Sequence, residues 1–126
     1  MANESKLIQF ATKLNRLTQE GTIEWSRMDP PDSLTKATDD KIFHFFGARY
    51  KGRNLGLYEE RYQTYGDYDE LIWTQRWVLA FFDDEWEEAW RFPSIQGIPE
   101  LAESVMYNVA DVDSIIDDLL SEGGTE

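Results

Sequence analysis

The chain has 126 residues, 41% of them apolar and 14% aromatic, which suits one hydrophobic core and is too apolar for a disordered chain. It contains no cysteine, which excludes disulfides, thiolate-held zinc, iron–sulfur clusters and a cysteine nucleophile. Its formal net charge of −13 repels phosphate backbones, so basic proteins rather than nucleic acids are the expected partners.

Residues 3–20 read as a helix. Leu7, Phe10, Ala11, Leu14 and Leu17 recur at three- and four-residue steps, with Asn3 as N-cap and Gly21 as the stop. Thr22–Arg27 alternates in polarity and reads as a short strand, and Met28–Thr38 reads as a loop. Pro30-Pro31 argues against a helix or central strand within that loop. Lys41–Tyr50 is an aromatic-rich strand with Ile42, His44, Phe46, Ala48 and Tyr50 on one face. Phe43, Phe45, Gly47 and Arg49 fall on the other; both faces are partly apolar, so the strand is expected to be central and covered on each side.

Lys51-Gly52-Arg53-Asn54 is a tight turn, Leu55–Tyr65 a returning strand, and Gly66–Glu70 a second turn. Leu71–Phe82 is the longest strand, Asp83-Asp84-Glu85 closes it, and Trp86–Phe92 makes a short fifth. Pro99 suits the first position of a helix, and Asp111 suits an N-cap for Val112–Leu120. Residues 98–120 are therefore one kinked helix or two short ones, and 121–126 is a frayed tail. The expected class is α+β: an antiparallel meander of about five strands across 22–92, with N- and C-terminal helices packed on one face. One domain spans 1–126.

The longest unbroken apolar run, Trp77–Phe82, is six residues against the ~20 a membrane helix needs. Met1–Ser5 shows no basic-then-apolar leader, so a cytoplasmic protein with no membrane partner is expected.

His44 is the single histidine, and a general-base role would pair it with Asp39, Asp40, Glu59 or Glu88. No nucleophile-elbow motif accompanies it, so no catalytic residue is assigned. The acidic runs at Asp67–Glu70 and Asp83–Glu88 lack the glycine and the twelve-residue spacing of a calcium loop. No metal and no cofactor is expected. Arg49, Lys51 and Arg53 form a basic turn without P-loop spacing; with Arg61 and Arg76 they are candidates for holding an anionic ligand. The same turn, set against the acidic half of another copy, would give a homo-oligomer.

The charge is lopsided. Residues 1–53 carry nine Lys or Arg against seven Asp or Glu, whereas residues 54–126 carry three against eighteen. Aromatic rings beside carboxylates and arginines have the composition of a protein-recognition surface. The expected function is an acidic interaction module that binds and occludes a basic partner, a toxin or a nucleic-acid-binding protein, in an immunity-, inhibitor- or DNA-mimic-type role. Its expected binding residues are Glu59, Glu60, Asp67, Asp69, Glu70, Asp83, Asp84, Glu85, Trp86, Glu87 and Glu88. Two alternatives stay open: a small-ligand or nucleotide binder using aromatic and arginine contacts, and an enzyme using His44 with a carboxylate.

Overall fold

The computed structural model describes residues 3–36 and 40–121. The tail residues 122–126 and Asp39, a carboxylate considered for His44, lie outside the described residues. The elements in chain order are α1 (Glu4–Gln19), β1 (Ser26–Met28), α2 (Asp32–Thr35), β2 (Lys41–Tyr50), β3 (Arg53–Tyr65), β4 (Leu71–Phe82), β5 (Glu88–Arg91), α3 (Ile98–Val109) and α4 (Val112–Leu120). The five strands form one antiparallel sheet in the order β1-β2-β3-β4-β5, each paired with its sequence neighbour. The fold is α+β.

Local chemistry sets the helix ends. Asn3 Oδ1 accepts the Lys6 N–H at 2.8 Å, satisfying one orphan donor of α1. Gly21 at φ 78 takes the left-handed position after the helix, and the Thr22 N–H returns to the Leu17 carbonyl at 2.9 Å. The double proline does not keep the following loop free of helix. Pro31 sits at the N-cap and α2 starts at the next residue, where a missing proline N–H costs nothing. The chain breaks between α3 and α4 at Asp111, whose backbone is left-handed (φ 56) and whose carboxylate makes no capping bond.

β2 departs from simple alternation. Its register with β3 shifts between Phe43 and Phe46, and His44 adopts φ 50, so an extra residue is accommodated as a bulge. The bulge swaps the faces of the strand's first half. Ile42 joins Phe45 on one side, while Phe43 shares the side of Phe46 and lies under the Arg61 guanidinium, 4.0 Å from its ring centre. A two-residue period carried through the whole strand puts Ile42 and Phe43 on the wrong sides.

Two apolar clusters result. The larger joins Ala11 and Leu14 of α1, Leu101, Ala102 and Val105 of α3, and Phe46, Ala48, Leu55, Leu57 and Leu79 of the sheet. The smaller gathers Leu34 of α2 with Phe45, Tyr58, Val78, Ala80 and Phe82, packed by Met28, Ile42 and Trp86. α4 buries no side chain, so it takes no part in the core, and Ile115, Ile116, Leu119 and Leu120 are exposed. Among the described residues no helix is long and apolar enough to cross a membrane.

Candidate functional site

β3 and β4 outrun their neighbours. β2 follows β3 only as far as Arg61, and β5 follows β4 only over Ala80–Phe82. Beyond those limits the β3–β4 pair continues to Tyr65 and Leu71 as a two-stranded finger. Its tip is a type I turn closed by Asp69 N–H to the Gly66 carbonyl at 3.1 Å, followed by left-handed Asp69 at φ 61. Gly66 N–H bonds the Glu70 carbonyl at 2.8 Å, and the Glu70 carboxylate accepts the Tyr68 N–H at 3.0 Å. The finger carries large apolar side chains in water: Tyr68 is 91% exposed, Tyr65 70% and Trp73 51%, with Leu71 and Ile72 beside them. Asp67, Asp69 and Glu70 are exposed around them. Apolar groups clustered within an acidic surround are the composition of a docking surface.

The opposite end of β4 closes differently in its side chains. Asp83 Oδ1 accepts both the Glu85 and the Glu87 N–H at 2.9 Å, so this carboxylate is spent on its own turn. Trp86 folds beneath the turn against Phe82 (5.6 Å between ring centres) and Phe45 (6.1 Å), and its carbonyl accepts the Ser33 hydroxyl. Asp84 lies 3.8 Å from Arg49. The Lys51-Gly52 turn, with φ 50 and 78, belongs to this same end, because Asn54 pairs with Phe82. The basic cluster Arg49, Lys51 and Arg53 thus adjoins Asp83–Glu87. The twelve residues of β4 set the two acidic turns about 40 Å apart, so they do not form one field.

The expected binding list also contains residues the fold has used. Glu60 is 1% exposed. Arg76 holds it through Nε at 2.9 Å and Nη2 at 2.7 Å, and Arg91 through Nη1 at 3.2 Å to each oxygen. Glu59, also buried, accepts from Arg61 at 3.3 Å. Glu88 accepts the Tyr58 hydroxyl at 2.5 Å and Arg91 Nε at 3.3 Å. A carboxylate taken out of water needs such partners, so Glu59 and Glu60 belong to the interior rather than to a surface that meets a partner. Burial, then the hydrogen bond and charge of Glu88, push the Tyr58 pKa up. Burial alone would lower that of Arg91, but Tyr58, Glu88 and Glu60 outweigh it and the net shift is upward. Tyr58 is therefore held neutral, a donor and not a base.

Arg61, Arg76 and Arg91 are the only basic residues between 54 and 126, and all three are committed to Glu59, Glu60 and Glu88. Arg61 and Arg76 thus enter no free anion site. Asp67, Asp69, Glu70, Asp83, Asp84, Glu85, Glu87 and the acids of α3 and α4 are exposed, and only Asp84 has a basic side chain within ion-pair distance among the described residues. A cleft of about 450 Å³ beside the Glu60 cluster is lined by Ser33, Leu34, Asp40, Glu60, Glu87, Glu88 and Arg91. Its single arginine is already paired, which disfavours an anionic or nucleotide ligand there.

His44 stands on the bulge, exposed, with Nδ1 3.3 Å from Arg27 Nη1 and its ring near Phe43 and Trp77. Among the described residues the hydrogen-bond partner of the imidazole is thus an arginine and not one of the carboxylates considered for it. Among the described residues no group of three or more His, Asp or Glu is placed to hold a metal ion. Sequence reading named the acids of the finger but not Tyr65, Tyr68, Leu71 and Ile72. The available signal was length: β3 and β4 are longer than the strands flanking them. In comparisons with protein-family models, curated proteins and solved structures, nothing matches this chain.

Proposed function

We propose that this protein is an acidic interaction module that docks on a basic partner protein and occludes its working surface, with the β3–β4 finger as anchor. Tyr65, Tyr68, Leu71, Ile72 and Trp73 supply the apolar contact, and Asp67, Asp69 and Glu70 pair with lysines or arginines around it. The other exposed carboxylates steer the encounter at long range. The observation that carries this reading is the commitment of every arginine of the second half to an interior glutamate, next to a finger that leaves three large aromatics in water. A toxin neutralised by its immunity protein and a nucleic-acid-binding protein blocked by a phosphate mimic both have the required basic surface.

The test starts by capturing and identifying a host partner, then measuring its affinity at about 0.05 and about 0.3 M salt, across which exposed charges become screened. The expected result is affinity that falls steeply with salt and a loss of roughly tenfold or more in Tyr68→Ala or Trp73→Ala. An affinity indifferent to both salt and finger residues would end the proposal.

A further inference from the structure

α4 stands outside the core and holds an apolar stripe in water. Successive residues of a helix turn by about 100°, so Val112, Ile115, Ile116, Leu119 and Leu120 share one side of it. No residue of α4 is buried, and Leu119 and Leu120 are 76% and 73% exposed. Carboxylates border the stripe on both edges, Asp113 and Asp117 beside Leu120 and Asp118 beside Ile115. A nine-residue helix is marginal in water without packing. Its last turn adds to that weakness, because Asp117 and Asp118 lie at the negative end of the helix dipole with no basic residue there. The sequence has no Lys or Arg after Arg91. Among the described residues no cation lies within ion-pair distance of these acids. Between α4, α3 and the end of α1 opens a cleft of about 420 Å³ whose charged lining is Glu103 and Asp113 alone. There the Tyr107 hydroxyl donates to Asp113 at 2.5 Å.

We propose that α4 docks a basic amphipathic helix of a partner protein, whose apolar side covers the stripe while lysines or arginines on its flanks meet Asp113, Asp117 and Asp118. Charge selects this occupant. A second copy would bring acids against acids, because the same carboxylates border both stripes. Helices that lie on a membrane surface present lysine or arginine to the headgroup phosphates, and α4 presents carboxylates there. Residues 122–126 of this chain hold no apolar side chain to cover the stripe. A helix with basic flanks answers each feature: it buries the stripe, neutralises the borders and brings a cation to the negative end of the dipole. One lysine or arginine of its flank enters the cleft between Glu103 and Asp113. The site shares no residue with the β3–β4 finger, so it goes beyond that reading and stands or falls apart from it.

The probe is a fluorescent synthetic helical peptide of leucine and lysine, with its leucines at three- and four-residue steps. Anisotropy titration at about 0.15 M salt is expected to show binding. Ile116→Gln combined with Leu119→Gln is expected to weaken it about tenfold or more. Both positions are exposed, so the circular dichroism of that variant should match the unmodified protein. Asp117→Asn combined with Asp118→Asn should weaken binding about threefold or more, whereas Tyr68→Ala on the finger should leave it unchanged. A peptide of the same composition with scattered leucines is expected to bind at least about tenfold more weakly. Equal binding of the two peptides would overturn the proposal, since net charge alone would then be read. So would binding indifferent to the α4 substitutions. If that binding instead fell in Tyr68→Ala, the peptide would sit on the finger and the finger reading would survive. Dimers in sedimentation equilibrium, or binding to phosphatidylcholine vesicles, that Leu119→Gln abolishes would give the stripe to a second copy or a bilayer and overturn the proposal as well.

Discussion

At either end of β4 the chain reverses through a three-residue loop whose third residue is left-handed, Asp69 at φ 61 and Trp86 at φ 59. The hydrogen bonds match: Asp69 to Gly66 and Gly66 to Glu70 at one end, Trp86 to Asp83 and Asp83 to Glu87 at the other. The surroundings differ. Trp86 has the second cluster to fold onto, and Gly47 leaves the space, since a Cβ there would collide with the indole and with the Met28 sulfur. Tyr68 has nothing beneath it, because the finger has already left its neighbouring strands behind. One backbone device thus serves two ends: packing makes one a structural closure and its absence makes the other a free tip. Acidic residues at both ends are equivalent in sequence and inequivalent in use.

The largest effects belong to the packed regions, Trp86 at the anchored end of β4 and Glu60 beside the middle of that strand. Trp86→Ala should cost about 3 kcal/mol, the scale of opening a cavity under a half-buried indole, read as a lower urea midpoint at unchanged slope. Glu60→Gln should cost about 2 kcal/mol by leaving Arg76 and Arg91 without their carboxylate. The figure is below that of a sealed pair because both guanidiniums still reach water. If either change leaves stability untouched, the division between a built end and a free end fails.

Alkaline titration sharpens the same contrast. The Tyr58 pKa in the folded protein lies above its ordinary value of 10.0, so the unfolded chain gives up that proton first. Its contribution to stability is complete below pH 10 and is lost as the pH climbs further, by at most about 1.4 kcal/mol per unit. Urea unfolding at successive pH values above 10 should show this decline, and Tyr58→Phe should remove that component. Tyr68→Phe on the finger should leave it in place.

Sequence patterning made the meander, the first helix with its Asn3 and Gly21 ends, and the α3–α4 break legible, because each rests on local periodicity or a single terminal residue. The bulge at His44 was not legible: nothing in Lys41–Tyr50 marks where the two-residue period slips, and the slip is decided by pairing with β3. Which glutamates are interior was equally hidden. Glu59 and Glu60 look like any acidic pair until Arg76 and Arg91, far along the chain, close on Glu60, and Arg61 turns back onto Glu59. The finger was half legible, its acids from composition and its exposed rings only from the unequal lengths of paired strands.

The free tip should answer in binding where the anchored end answers in stability. Tyr68→Ala and Trp73→Ala are expected to move the unfolding free energy by less than about 0.5 kcal/mol, as for surface positions generally. Their effect should appear in the affinity for a basic partner. A loss of more than about 1 kcal/mol in stability would mean that the finger is a packed element.

The smallest expected effect calibrates the rest. Asp69 and Trp86 occupy the same left-handed position, where a Cβ costs about 1–2 kcal/mol and glycine costs nothing in the folded state. Asp69→Gly relieves that strain but gives the unfolded chain more freedom to lose, worth roughly 0.5–1 kcal/mol in the other direction. The net should be a change of no more than about 0.5 kcal/mol, because aspartate already tolerates this conformation better than most residues. Trp86→Gly carries a backbone relief at least as large and adds the loss of the indole. Subtracting one glycine substitution from the other removes most of the shared backbone contribution and leaves the packing of Trp86, expected at about 3 kcal/mol. If the two substitutions proved equal, the indole would contribute nothing beneath its turn, and the two ends of β4 would not differ in the way proposed.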